Sequence, residues 1–208
     1  MRTLRRRAER ALAGALAAAL LLTAPGAAHS GAQQYEVLSA SVRATLARAV
    51  SDRRGVDWND MDTRAWVRAM TRRMAGVLPD EEVARQFLGL VRYEAMRAGR
   101  DPHLGLAVID VESRFRKYAV SRAGARGYMQ VMPFWVKEIG EPAHNLFHER
   151  TNLRYGCTIL RFYLDRENGN LANALGRYNG SLGRPEYPER VLRALKGRWA
   201  LEARLQGT

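Results

Sequence analysis

Apolar residues recur every three or four positions along most of this chain and almost nowhere in strict alternation. That spacing matches the 3.6-residue turn of an α-helix and not the two-residue repeat of a strand. Tyr35, Leu38, Val42, Leu46 and Val50 define one amphipathic helix, and Trp66, Val67, Met70, Met74 and Val77 a second, entered through Asp62-Thr63. A third starts at Pro79-Asp80 with Val83, Phe87, Leu90 and Val91 inward. It stops at Gly99, a residue suited to the left-handed position just past a helix end. Later helices are expected over about 151–167, over 170–178, and from Pro188 with Val191, Leu192, Leu195 and Trp199 inward. No repeat or strand-rich region interrupts this pattern. From Phe115 to Gly127 the periodicity breaks into turns, with Ser121, Gly124 and Gly127 as punctuation, leaving room for a very small β element. The fold class expected is all-α.

Residues 1–30 read as a separate object. Five arginines among the first ten residues precede an apolar run, Ala11 to Ala24, and then Pro25-Gly26-Ala27-Ala28-His29-Ser30. This is the layout of a secretory signal peptide, with a run too short to span a bilayer comfortably. The expectation is an exported, periplasmic protein without a membrane span after cleavage, secretion being the other route. Residues 31–80 read as a helical N-terminal extension, with Arg53 to Asn59 as its linker, and residues 81–208 as the main domain.

Without residues 1–30, which carry five arginines and one glutamate, the formal charge falls from +13 to +9. A basic surface favours polyanions. For an exported chain those are anionic wall or lipid head groups, and a nucleic-acid role conflicts with export. Cys157 is the only cysteine, so no intrachain disulfide can form, and its place among Leu153, Leu160 and Leu164 marks a buried small hydrophobe.

Chemistry enters at Asp101-Pro102, where a capping carboxylate and a first-turn proline open a helix. Leu104, Ala107, Val108 and Val111 form its apolar stripe. At 100° per residue Glu112 falls at the edge of that stripe, about 40° beyond Val108, while Asp110 points towards water. A glutamate at a helix C-terminus opposes the helix dipole, so the position is costly unless it serves a purpose. A carboxyl group partly buried among apolar atoms keeps its proton near neutral pH, and a glycosidic oxygen departs readily only when protonated. Glycosidases ordinarily add a second carboxylate. Asp110 is on the wrong face, and Glu138, Glu141 and Glu149 lie in segments that periodicity does not place. Without a partner, the nucleophile must come from the substrate, as the 6-hydroxyl of muramic acid can, held at high effective molarity.

Glu112-Ser113-x-Phe115, then Ala119-Val120-Ser121-x-x-Gly124-Ala125-x-Gly127-Tyr128-Met129-Gln130-Val131-Met132-Pro133, resembles the catalytic core of soluble lytic transglycosylases. Asn152-Leu153-Arg154-x-Gly156, Gly169-Asn170 and Tyr178-Asn179-Gly180 follow in that family's order, so the resemblance covers roughly residues 85–200. It implies a lysozyme-like, mainly helical domain acting on peptidoglycan, with a glutamate as sole acid and base and no cofactor. By that resemblance Glu112 is the catalytic residue. Ser113, Ser121, Gln130, Met132, Tyr178 and Asn179 bind substrate or frame the site, with Tyr178 bonding or orienting the glutamate. Tyr128 stands where the family usually has leucine, and Arg177 where it usually has alanine.

The product expected is a 1,6-anhydro-muramic end. A goose-type-lysozyme-like hydrolase using the same glutamate is the nearest alternative, and a wall-binding assembly factor of an envelope machine is the alternative from another class. His144 and His148 have the spacing of a metal pair but lack a third ligand, so they read as loop residues and no metal is expected.

Overall fold

The structure, a computed structural model, describes residues 32–200, so the expected signal peptide lies outside it. Among these residues there are eight helices: α1 Ala40–Ser51, α2 Met61–Met74, α3 Glu81–Arg97, α4 Pro102–Ser113, α5 Phe134–Ile139, α6 Glu149–Arg166, α7 Leu171–Asn179 and α8 Glu186–Lys196. The small β element takes the form of two isolated antiparallel bridges, Val120 with Arg126 and Arg126 with Val131. The domain is all-α.

Capping sets the helix starts. Ser39, Asp60, Asp80, Asp101 and Asn170 each accept a backbone N–H of the first turn through the side chain, satisfying a donor that the helix cannot. Two boundaries differ from the periodic reading for this reason. Tyr35 shares the spacing of the first helix, yet the chain is extended until Ser39 caps α1. Asp60, not Asp62, begins α2. Val83, expected inward, is exposed at the start of α3, and α5 had no periodic signal because it is only six residues long.

Helix α3 packs on α2, α4 and α6, α4 on α8, α6 on α1 and α7, and α7 on α8. A single hydrophobic core joins Leu46, Val50, Val67, Met70 and Met74 of the first two helices to Phe87, Leu106, Ile109, Leu153 and Tyr178 of the later ones. Burial of this kind contributes roughly 25 cal/mol per Å² of apolar area. Cys157 lies in it, buried, with its thiol pushed up to about 12 chiefly by desolvation. No helix among the described residues is long and apolar enough to cross a membrane.

Candidate active site

Helix α4 carries the glutamate that the site is built on. Asp101 accepts the His103 N–H at 2.8 Å, and Pro102 fills the first turn. At the other end Arg114 and Phe115 both adopt positive φ, 51° and 60°. Two successive left-handed residues are costly for side chains with a Cβ, and they turn the chain away directly after the last helical turn. Glu112 is left on that turn, half-buried, with an edge on solvent.

Protein atoms crowd its carboxyl group nonetheless. Desolvation raises Glu112 from the ordinary 4.5 to about 7, against the opposing effects of a hydrogen bond from Tyr187 and the charge of Arg190. Tyr187 Oη donates to Glu112 Oε1 at 2.6 Å. Burial and the glutamate's charge push the Tyr187 phenol well above its usual value, so it remains a donor. A carboxyl group that holds its proton near neutrality, fixed by a phenol and open on one side, can deliver that proton to a bound ligand.

The segment from Arg126 to Gln130 is braced by a buried asparagine. Asn152 accepts the Met129 N–H at 2.8 Å and donates to the carbonyls of Arg126 and Leu146 at 2.8 and 2.9 Å. Gly127 has a φ of +73°, and a Cβ there would overlap the Asn152 amide and the Leu146 carbonyl, so glycine alone fits. Gln130, itself at φ 48°, donates its side-chain amide to the carbonyls of Ala119 and Gly127.

The sequence-selected residues divide accordingly. Tyr178 is buried and feels the charge of Glu112, but its hydroxyl donates to the Met129 carbonyl at 2.8 Å. The phenol bonded to the glutamate is Tyr187, not Tyr178. Ser113 is buried and donates to the Ile109 carbonyl at 3.1 Å, so its hydroxyl serves the helix end. Ser121 accepts the Ala125 N–H at 3.1 Å and closes the turn before the brace. Met132 is half-buried, and Asn179 is buried at the end of α7. Tyr128 neither lines the site nor projects outwards; it packs against Phe87 at 4.6 Å between ring centroids.

Tyr187 was missed because the apolar pattern of the last helix begins with Val191. The available signal was their i,i+4 spacing: α8 starts at Glu186, and both side chains are buried on one face.

The remaining carboxylates are placed elsewhere. Glu138 pairs with Arg43 at 3.3 Å and Glu149 with Lys117 at 3.1 Å, while Glu141 is exposed. Asp110 does not face open water. It accepts the indole N–H of the fully buried Trp199 at 2.9 Å and lies 3.6 Å from Arg198. His144 Nδ1 lies 2.8 Å from Tyr155 Oη, and no group of three or more metal-ligating side chains occurs among the described residues.

The helical architecture thus surrounds one half-buried glutamate, bonded to Tyr187 and raised by desolvation. Residues 89–194 match the Transglycosylase SLT domain family, and the chain belongs to it. Its relatives include the membrane-bound lytic murein transglycosylase C of Yersinia pestis (strain Pestoides F) and that of Yersinia pseudotuberculosis (serotype O:1b, strain IP 31758). Each is 35% identical over 116 residues, a stretch covering 48% of this chain and 32% of the relative. The chain thus spans about a third of the length of these relatives.

Proposed function

We propose that this protein is a peptidoglycan lytic transglycosylase that cleaves the β-1,4 bond between N-acetylmuramic acid and N-acetylglucosamine. The observation that carries the reading is Glu112, held by Tyr187 and raised to about 7 by desolvation at the edge of the protein. Membership of the transglycosylase SLT domain family and the lytic murein transglycosylase relatives support it.

In this reaction Glu112 donates its proton to the glycosidic oxygen as the bond to C1 of muramic acid breaks. The resulting carboxylate then takes the proton of the C6 hydroxyl while that oxygen bonds to C1, closing a 1,6-anhydro ring. No water is consumed, and Glu112 ends as it began. The charge acting on Glu112 is that of Arg190, a cation that favours the carboxylate between the two steps. A hydrolytic route would have the same carboxylate take a proton from water instead of the C6 hydroxyl, while Asp110, Glu138 and Glu149 are engaged elsewhere. Residues 81–208 act as the catalytic unit and residues 31–80 as its extension. The place of action is the periplasm.

Mass spectrometry of digested sacculi tests the reaction. Anhydro-muramic ends are expected from the wild type and none from Glu112→Gln. Reducing ends one water heavier would instead identify a hydrolase.

A further inference from the structure

A hollow of about 400 Å³ lies where α5 and the loop before α6 meet the turn at Arg126, and the reaction proposed for Glu112 uses none of its side chains. Its apolar lining is Pro133, Val136 and Leu146. Its polar lining is Arg126, Lys137, His144 and Asn145.

These four side chains offer donors only. Arg126 and Lys137 are exposed, and neither forms an ion pair among the described residues. The Arg126 guanidinium is stacked, 5.9 Å from the centroid of the Phe147 ring. His144 Nδ1 lies 2.8 Å from Tyr155 Oη, and the Glu141 N–H points at the same nitrogen from 3.4 Å. Burial, and then the charge of Glu141, push the Tyr155 phenol up, so it keeps a proton to give. Nδ1 therefore accepts, and the neutral ring carries its proton on Nε2. Asn145 Oδ1 accepts the Phe147 N–H at 2.9 Å, which leaves the amide NH₂ to donate. The carbonyls are occupied as well. Those of Arg126 and Leu146 take the Asn152 amide, and those of Pro133 and Val136 take the N–H groups of Val136 and Gly140. A Cβ at Gly140 would overlap the Tyr155 hydroxyl, so the group that orients His144 has a place only because glycine stands there.

The acids nearby leave the hollow positive. Glu138 pairs with Arg43 at 3.3 Å, and Glu141 is not part of the lining. Two cations and two neutral donors beside an apolar patch complement an anion with a small apolar body. A carboxylate accepts guanidinium and ammonium N–H groups in short, charge-assisted bonds. A cation or a neutral donor finds no acceptor there.

We propose that this hollow is a binding site for a small organic carboxylate, its charged group meeting Arg126, Lys137, His144 Nε2–H and the Asn145 amide while its apolar body lies on Pro133, Val136 and Leu146. A ligand so held rests on the segment that Asn152 braces, since Arg126 both lines the hollow and gives Asn152 its carbonyl.

The test titrates the full-length protein with N-acetylalanine and follows the methyl resonances of Val136 and Leu146. A saturable shift is expected, with a Kd on the order of 1 mM for a ligand of this size. N-acetylalaninamide has the same body without the charge, and should give no saturable shift. Inorganic phosphate has the charge without the body, and should bind about tenfold more weakly because the apolar patch stays uncovered. Lys137→Gln and Arg126→Gln should each weaken N-acetylalanine binding about tenfold, as a charge-assisted bond is lost. Both side chains are exposed, so the thermal midpoint of the unliganded protein should not change. Absence of saturation with N-acetylalanine overturns the site, as does equal binding of the amide or wild-type affinity in both variants. Phosphate binding as tightly as N-acetylalanine overturns the organic carboxylate in favour of an inorganic oxyanion. The readout involves no turnover, so its outcome is independent of the transglycosylase reading.

Discussion

Two glutamates sink into this protein on neighbouring helices, and their surroundings differ completely. Glu94 of α3 is fully buried and surrounded by arginines: Arg97 at 2.8 Å, Arg154 at 2.9 Å and Arg150 at 3.6 Å. Arg97 continues to the Ala49 carbonyl at 2.9 Å and Thr158 at 3.2 Å, so this carboxylate ties α1, α3 and α6 together. Glu112 of α4 has a single phenol and an exposed arginine nearby, and burial pushes its carboxyl to about 7. The two surroundings give the two side chains different work. A carboxylate ringed by several guanidinium groups is a cross-link, whereas one left nearly uncompensated is a candidate acid for the proposed reaction.

The contrast can be broken most severely at the reagent. Glu112→Gln should lower transglycosylase turnover by about 10²–10⁴-fold, the usual contribution of a positioned acid, while raising the thermal midpoint above pH 7, where the buried carboxylate is unfavourable. Glu94→Ala should do the reverse. Leaving its guanidinium partners without a counter-charge should cost about 3–5 kcal/mol of stability, measured by denaturant titration, while activity per folded molecule is retained.

The pH dependence of stability separates the two sites further. The unfolded chain releases the Glu112 proton near 4.5, whereas the folded protein keeps it to about 7. The folded state therefore binds more protons between these values, and stability falls as pH rises through that window. The loss should be on the order of 2–3 kcal/mol and flat above it. Denaturant midpoints for Glu112→Gln should lack this slope.

Tyr187→Phe sharpens the account of Glu112. Its hydrogen bond favours the carboxylate, so its loss should move the alkaline limb of kcat/KM to higher pH. Turnover should drop about tenfold, as a charge-assisted bond is removed. The smallest effect belongs to Asp110→Asn on the same helix. The amide still accepts from Trp199, and losing the Arg198 pair should cost less than about 1 kcal/mol. Activity should be unchanged; a large drop would mean that Asp110 takes part in the chemistry.

Most of the helical scaffold was legible because local rules set it. Asp101-Pro102 marks the start of α4 through capping, and the stripe from Leu104 to Val111 puts Glu112 at the edge of the core. Two other residues show the limit of such rules. Tyr35 obeys the helical spacing of Leu38 and Val42, yet its partner is Phe134, almost a hundred residues away, and its backbone is extended. Asp110 was placed opposite the stripe, but a 3.6-residue period cannot reveal that Trp199 waits there to donate to it.

By itself, then, the order of residues determined the helical class, the caps, the lone cysteine's burial and the glutamate that ends α4, since each depends on neighbours within a turn or two. Tertiary structure decided which tyrosine holds that glutamate, why Glu94 is a cross-link, and that Gln33 reaches the Gln130 carbonyl. Those outcomes depend on pairs of groups brought from distant parts of the chain, and charge and desolvation act through space, not along the backbone.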